Sequence, residues 1–334
     1  MRSSLFMALA CLAFSHASIF KKIDDSWSFD VDVGRNANWM ATVADSTLIS
    51  SLSIPGTHNS MTDSMGSSST QTQNVPLAEQ LLGGIRYIDI TCHFVASYIM
   101  VYHKAIDTGY SLGDALDTMY HFLKEHPTET IILRIRNGEH SKDFLETIKT
   151  YLAPDSRRGD RIARHLYSRH AKDGTVPTLG ELRGKVLILQ DFKTSPAGLY
   201  GLPWGPDTIS NYDHEIAPGT HFLVRKWNGV KSHLSKAPQP GSNKLRITHT
   251  TASTGVHPID IAARNSPHVG MNNLLGQYLK DNEGGCFGIV VMDFPGKLLV
   301  DLIVKLNKYQ APELPSLHFD STDTYTASED ARET

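Results

Sequence analysis

From about residue 51 onward, short apolar segments alternate with longer amphipathic ones. The apolar segments are rich in Ile, Val, Leu and Tyr, which is typical of buried parallel strands. They are Leu52–Ile54, Ile85–Ile90, Tyr98–Tyr102, Thr130–Arg136, Lys185–Gln190, His221–Trp227, Lys244–Thr250 and Phe287–Asp293. Between them, apolar residues at helical spacing predict helices, of which the clearest begins after a Ser111 cap and ends before Pro127.

This alternation predicts an α/β fold of the TIM-like (β/α)8 barrel type in a single domain. We expect the barrel to be irregular or incomplete, because the link between residues 91 and 97 is too short to hold a crossover helix. The long segments 191–220 and 228–243 are rich in Gly, Pro, Ser and Asn, which predicts loops over one face of the barrel.

The carboxyl ends of the strands build the active site in such a barrel. Polar side chains that this arrangement would bring to one rim are His58, Asp89, His103, Arg134, Arg136 and Asp293. Two imidazoles suit cleavage of a phosphodiester, since one can accept a proton and the other can donate one near neutral pH. A carboxylate would orient one ring and raise its pKa, and a guanidinium would offset phosphate charge. The pattern alone leaves a structural role for either histidine open.

Composition narrows the classes of function. With 334 residues, of which 40% are hydrophobic, the chain can bury a substantial core. Its 32 Lys and Arg against 35 Asp and Glu leave no basic excess, so we expect no nucleic-acid partner.

The two ends of the chain differ from the rest. A basic Arg2, an apolar run from Leu5 to Phe14 and small residues up to Ala17 predict a signal peptide over residues 1–17. The alternative is an anchor or a buried strand, although the run is shorter than the roughly 20 residues that span a bilayer. We therefore expect a secreted, extracellular monomer with a barrel domain over 18–310. Residues 311–334, rich in Pro, Ser, Thr, Asp and Glu, predict a disordered tail.

Three segments resemble the X-box of phosphatidylinositol-specific phospholipases C. They are Ile54–Ser60 (IPGTHNS), Gly84–Ile90 (GIRYIDI) and Met100–His103 (MVYH). The segment Leu123–Ile132 is similar to the helix and strand that follow in that family. The likeness covers roughly Trp39 to Leu306; it is strong through the first half of this range and weaker later. The resemblance implies an incomplete (β/α)8 barrel that cleaves phosphatidylinositol, or its glycosylated form, to diacylglycerol and a cyclic inositol phosphate.

The resemblance also implies catalytic roles. His58 matches the general base for the inositol 2-hydroxyl, and Asp293 matches the carboxylate that orients it. His103 matches the general acid for the diacylglycerol oxygen, and Asp89 an acidic position near the phosphate. Arg136 stands where the metal-independent branch of the family has a lysine and the calcium-dependent branch a glutamate.

Two positions depart from the metal-independent branch: Asn59 replaces its aspartate, and Thr91 its phosphate-binding arginine. Calcium takes six to eight oxygen ligands, several of them anionic. Asn59, Asp89 and Thr91 offer few such ligands. We expect no metal cofactor, with calcium as the alternative. We hypothesise that Arg136 binds the phosphate across the space left by Thr91, while Arg134 pairs with Asp89. The alternative is that both arginines face the helices or solvent.

The predicted substrate-binding residues are Asn59, Arg134, Asp191 and Arg225. The last two stand where the family has an arginine after the fifth strand and an aspartate after the sixth, both on sugar hydroxyls, so each charge is reversed. The expected partners are an inositol lipid and, transiently, a phospholipid membrane surface. The segment Leu199–Trp204 is a candidate membrane contact because Tyr and Trp favour headgroup depth; packing over the barrel rim is its alternative.

Two other classes remain as rivals. A catalytically weak or inactive barrel that binds lipid or inositol phosphate is kept open by Asn59 and Thr91. A calcium-dependent glycerophosphodiesterase or sphingomyelinase-like barrel would need more carboxylates at the strand ends. A serine hydrolase is disfavoured, since no Gly-x-Ser-x-Gly elbow follows a strand.

Overall fold

The computed structural model describes residues 25–29, 31, 33–139, 141–153, 164–167, 176–215, 221–236, 242–252, 255–264 and 269–310. The expected signal peptide (1–17) and the expected disordered tail (311–334) lie outside these residues.

A sheet whose parallel strands curl into an incomplete barrel forms the centre of the molecule. The strands are β1 (Ile54–Thr57), β2 (Tyr87–Val95), β3 (Tyr98–His103), β4 (Ile106–Ser111), β5 (Ile131–Asn137), β6 (Val186–Asp191), β7 (Gly201–Pro203), β8 (Ile209–Tyr212), β9 (Leu245–His249) and β10 (Ile289–Met292). Parallel pairing runs in the order β7-β6-β5-β2-β1-β10-β9-β8. In this order β7 and β8 are the two edges, so the predicted TIM-like barrel is confirmed and opens between them.

Helices cover the outside of the sheet. They are α1 (Leu77–Leu82), α2 (Leu112–Glu125), α3 (Lys142–Leu152), α4 (Leu179–Leu182), α5 (Phe222–Leu234), α6 (Pro258–Ala262), α7 (Met271–Asp281) and α8 (Lys297–Lys305). At the predicted start of α2, the Ser111 hydroxyl accepts a hydrogen bond from the Asp114 amide and the Asp114 side chain accepts from the Ser111 amide. No helix in the described ranges is both long and apolar enough to cross a membrane.

The predicted strand His221–Trp227 is wrong, because this segment forms the first half of α5. Its buried residues, Leu223, Lys226, Val230 and Leu234, recur at the spacing of a helix face. A short apolar run cannot by itself distinguish a strand from a buried helix segment. The barrel strands that take its place, β7 and β8, are short and lie within the segment 191–220 that was predicted to be loop.

The predicted strand Tyr98–Tyr102 exists but is not parallel. β3 pairs antiparallel with β2, and β4 pairs antiparallel with β3. The link from β2 to β3 is too short for a crossover helix, which leaves a hairpin as the available connection. The hairpin turns back so that Tyr102 lies opposite Thr91, and His103 therefore returns to the rim of the barrel.

A buried ion pair fixes the amino-terminal ends of β2 and β5. The Arg86 guanidinium donates to Glu129 at 3.0 and 2.8 Å and also to the Leu81 and Ala37 carbonyls, and both charged side chains are fully buried. The Glu129 carboxylate accepts from the Met40 amide as well. The arginine of the GIRYIDI segment therefore serves the fold rather than the chemistry. It supports the register in which Asp89 lies beside Arg134.

Candidate active site

A cavity of about 660 Å³ opens at the carboxyl ends of the parallel strands. Its lining includes His58, Asn59, Thr91, His103, Arg136 and Asp213. Of the sequence-predicted catalytic residues, two histidines and an arginine thus border one space. Asp89 and Asp293 lie behind them, almost fully buried.

His58 is the first residue after β1, and its backbone is held on both sides. Its amide donates to the Met292 carbonyl at 3.0 Å, and its carbonyl accepts from the Thr72 hydroxyl and the Gln73 side-chain amide, each at 3.0 Å. Because β1 and β10 are neighbours, Asp293 at the end of β10 meets the His58 ring, with its Oδ1 3.0 Å from Nδ1. A carboxylate can only accept here, so Nδ1 of His58 carries a proton and Nε2 faces the cavity side.

The surroundings of His58 favour its charged form. Burial lowers the pKa of an imidazole, but here the Asp293, Asp89 and Asp213 carboxylates together outweigh it, with Asp293 contributing most. The pKa of His58 is therefore raised above its usual value. An oriented histidine with a carboxylate partner is the arrangement expected of a general base.

The rest of the IPGTHNS segment builds the turn that presents His58. Gly56 lies against Tyr87 of β2, where a Cβ would come within 2.8 Å of the Tyr87 side chain, so only glycine fits without a shift. After β1, the Ser60 hydroxyl bonds the Thr57 hydroxyl at 2.8 Å and accepts from the Asp89 amide at 2.9 Å. These bonds join the β1 turn to β2 and leave His58 little freedom.

His103 ends β3 and is 6% exposed. Its Nδ1 lies 2.6 Å from the Thr70 carbonyl, which fixes the proton on Nδ1 in the neutral ring. Burial, with a further contribution from the charge of His58, lowers the pKa of His103 to about 4. The His58 and His103 ring centroids are 6.4 Å apart with their planes at 70°. Both rings can therefore act on one group bound between them.

The two arginines of β5 differ in their surroundings. Arg134 is buried, donates to Asp191 at 2.8 Å, lies 3.5 Å from Asp89 and has its guanidinium 3.8 Å from the Trp204 ring centroid. Arg136 lies opposite Thr91 in the β2–β5 register and has a side chain that is 57% exposed. Its Nε is 3.9 Å from Asp191. Arg134 is thus paired with the Asp191 and Asp89 carboxylates, whereas Arg136 borders the cavity.

The structure separates the two residues predicted to contact sugar hydroxyls. Asp191 ends β6, lines the cavity and accepts from Arg134. Arg225 lies on α5, exposed and outside the cavity lining, because the strand from which its position was inferred is a helix. The residue that follows the actual sixth barrel strand, β8, is Asp213, and it lines the cavity. The position assigned to Arg225 therefore lies outside the cavity, and Asp213 is the charged residue that borders it after β8.

Two buried groups beside Asp213 were missed by the sequence reasoning. His249 ends β9 with no exposed surface, its ring centroid 6.1 Å from that of His58 and its Nδ1 3.9 Å from Asp213. Burial lowers its pKa to about 3, and neither ring nitrogen has a hydrogen-bond partner among the described residues. Lys226, also fully buried, donates to the His214 carbonyl at 3.1 Å. The position of His249 at a predicted strand end was a usable signal; that of Lys226 was not.

The candidate membrane segment mostly packs inward. Tyr200 and Leu202 are buried and Trp204 stacks on Arg134, which leaves Leu199, 45% exposed, as the outward apolar residue. This arrangement favours packing over the rim, the alternative stated for the segment.

Within the part of the chain that the structure describes, no cluster of three or more His, Cys, Asp or Glu side chains is placed to hold a metal ion.

Comparison with known proteins identifies the family. The phosphatidylinositol-specific phospholipase C X domain matches residues 52–191. The chain is 30% identical over 286 residues to the 1-phosphatidylinositol phosphodiesterase of Listeria monocytogenes, covering 81% of this chain and 85% of the relative. Identity to the Staphylococcus aureus protein of the same name is 23%, over 78% of this chain and 88% of that one.

Solved structures of phosphatidylinositol-specific phospholipases C have the same fold as this chain. The phosphatidylinositol-specific phospholipase C from Listeria monocytogenes superposes with a TM-score of 0.69 at 28% identity, over 82% of this chain and 99% of that one. A Staphylococcus aureus phospholipase C structure, at 19% identity and a TM-score of 0.66, supports the fold. The chain belongs to the phosphatidylinositol-specific phospholipase C family.

Proposed function

We propose that this protein is a phospholipase C that cleaves phosphatidylinositol at a membrane surface to diacylglycerol and a cyclic inositol phosphate. The observation that carries the proposal is the pair of imidazoles, His58 and His103, facing one cavity with ring centroids 6.4 Å apart. Membership of a family whose Listeria relative is named a 1-phosphatidylinositol phosphodiesterase supports the substrate class.

The first step begins at His58. Its Nδ1–H donates to Asp293, so the lone pair of Nε2 can take the proton of the inositol 2-hydroxyl. The 2-oxygen attacks phosphorus as that proton leaves. Asp293 stabilises the imidazolium that forms and keeps the ring in the right tautomer.

His103 completes the step as general acid. Its Nδ1–H is held by Thr70, so the proton for the diacylglycerol oxygen comes from Nε2 as the phosphorus–oxygen bond breaks. A pKa of about 4 is low for an acid at neutral pH. The phosphodiester anion between the rings would raise it, because a nearby negative charge favours the protonated imidazole.

Arg136 is the proposed phosphate ligand. It lies beside Thr91, borders the cavity and keeps most of its side chain exposed. Its charge would offset the developing charge on the non-bridging oxygens. Arg134 holds Asp89 and Asp191 in place instead, and Asp213 is the proposed partner of an inositol hydroxyl.

We also propose that the reaction needs no metal. Asp89, one of the three candidate calcium ligands, already lies 3.5 Å from Arg134. Arg136, opposite Thr91 in the β2–β5 register, adds a second positive charge there, which disfavours a bound cation. The signal-peptide pattern of residues 1–17 supports secretion, which detection of the protein in the culture medium would test.

The proposal is tested by incubating the purified protein with phosphatidylinositol vesicles, with and without EDTA, and following phosphorus products by NMR. We expect cyclic inositol phosphate at equal rates under both conditions. Vesicle binding without product would favour the inactive lipid-binding barrel, and loss of activity in EDTA would favour the calcium alternative. His121→Gln is a matched control, since that histidine is 74% exposed on α2.

A further inference from the structure

We propose that Asn59 caps the general base: its side-chain amide donates to Nε2 of His58 in the substrate-free enzyme and thereby favours the neutral ring. The inference rests on the proposed role of His58. It adds a positioning residue that sets which histidine carries the proton.

The contact is direct. Asn59 Nδ2 lies 2.8 Å from His58 Nε2, on the ring edge opposite the Asp293 contact. Asp293 accepts from Nδ1–H, so the remaining nitrogen of a neutral His58 offers one lone pair, which an amide N–H can fill. A protonated Nε2 is itself a donor and would meet another donor. The contact therefore selects the unprotonated base.

The charges around His58 act in the opposite direction. Asp293 from β10, Asp89 from β2 and Asp213 after β8 all favour the imidazolium. The two nearest rings, His103 on β3 and His249 on β9, are pushed towards their neutral forms. The productive enzyme needs one proton on the catalytic pair, and that proton must be on His103 rather than on His58. Of the described side chains hydrogen-bonded to His58, Asn59 is the one whose bond opposes the carboxylates.

The backbone holds this amide in place. Asn59 adopts φ +42°, a left-handed conformation that Asn, Asp and Gly tolerate better than other residues. Its carbonyl accepts from the Thr72 hydroxyl at 3.1 Å, which ties the turn to the same residue that bonds the His58 carbonyl. An aspartate here would place an acceptor beside Nε2 and stabilise the imidazolium.

Substrate must displace the cap. The inositol 2-hydroxyl needs the same lone pair, so the Asn59 amide has to leave Nε2 when the hydroxyl arrives. Asn59 also lines the cavity, and a phosphate oxygen there is an acceptor for the released N–H. The base is thus uncovered by the phosphodiester on which it acts.

The test compares Asn59→Gly and Asn59→Asp with the parent enzyme. Both variants accept the left-handed backbone, and the His58 signal in a histidine NMR titration is assigned as the one absent from His58→Gln. We expect the His58 pKa to rise by about half to one unit in Asn59→Gly, where a hydrogen bond to the neutral ring is lost. We expect a rise of about one unit or more in Asn59→Asp, where a carboxylate is added.

Kinetics supply the second readout. For each unit of rise in the His58 pKa, the plateau of kcat/KM should fall by up to about tenfold and its alkaline limb should move up by one pH unit, because less of the singly protonated pair carries its proton on His103. Asn282→Asp adds the same charge at an exposed position away from the cavity and should change neither quantity.

An unchanged His58 pKa in Asn59→Gly overturns the cap, whatever Asn59→Asp does. The NMR titration uses the free enzyme, so it decides this even if the parent protein cleaves no phosphatidylinositol. A parent protein that cleaves no phosphatidylinositol would overturn the proposed function, but not the cap.

Discussion

His58 and His103 are the same residue type on one cavity, yet their surroundings shift them in opposite directions. Asp293 and two further carboxylates raise the pKa of His58 against the effect of burial. Among the described residues His103 is hydrogen-bonded to the Thr70 carbonyl and to no carboxylate, so burial and the charge of His58 lower its pKa to about 4. At pH values between the pKa of His103 and the raised pKa of His58, the free pair holds one proton. Acid–base cleavage requires this number of protons on the pair.

This difference predicts a bell-shaped dependence of kcat/KM on pH. The acid limb should lie near the pKa of His103, about 4, and the alkaline limb above the usual value for histidine, at the raised pKa of His58. Asp293→Asn removes the carboxylate that raises the His58 pKa, so the alkaline limb should move to lower pH. An alkaline limb that stays in place in this variant would contradict the assignment.

Arg136 should be the principal phosphate ligand, because Thr91 stands where the metal-independent branch of the family has its phosphate-binding arginine. Arg136→Ala is expected to lower kcat/KM by about 10²-fold or more, since the transition-state charge loses its counter-ion. Arg136→Lys should recover part of the rate, because it keeps the charge but not the planar fork. Lys231→Ala, at an exposed position on α5 outside the cavity lining, is the control. Equal rates for the parent and Arg136→Ala would exclude this role.

At the scale of elements, the correction at β8 changes a site residue. The segment His221–Trp227 is apolar enough to suggest a strand, but its buried residues repeat as a helix face, and the strand that borders the cavity is the shorter β8. Short strands carry too few residues for a clear pattern, so Asp213 could be found only from the fold. Seven of the eight predicted strands exist, including the hairpin strand β3, because apolar runs are the strongest signal in a sequence.

Asp213 should therefore contribute to substrate binding. Asp213→Asn keeps the shape but removes the charge that makes the carboxylate a strong acceptor. We expect kcat/KM on phosphatidylinositol to fall by about 10- to 100-fold, the cost of losing one hydrogen bond to a charged group. Unchanged kinetics would remove Asp213 from the site.

The Arg86–Glu129 pair should control stability without taking part in chemistry. Glu129→Gln leaves the fully buried Arg86 charge without its counter-ion, which should lower the free energy of unfolding by about 3–5 kcal/mol. The exposed pair Lys149–Glu146 is the matched control, and Glu146→Gln should cost at most about 1 kcal/mol. Urea unfolding measures both. Similar losses for the two variants would show that burial does not decide the contribution of the Arg86 pair.

At the scale of the whole molecule, strand ends from distant parts of the chain converge on one cavity. His58, Asp89, His103 and Arg136 could be assigned from their motifs and from the rule that barrel strands end at the active-site rim. The Asn59–His58 bond, the burial of His249 and the buried Lys226 amine could not, since each depends on side-chain orientation and on neighbours remote in sequence. Sequence patterns indicate which residues reach a site, and packing determines which atoms they meet.

The most direct test of the account is the rate of phosphatidylinositol cleavage by His58→Gln and His103→Gln, each compared with His121→Gln in EDTA. Loss of a general acid or base should lower kcat by about 10²- to 10⁴-fold in each of the first two variants, while the exposed His121 variant keeps the parent rate. If either His58→Gln or His103→Gln retained the parent rate while folded, the two rings would not act together on one phosphodiester, and the proposed mechanism would be wrong.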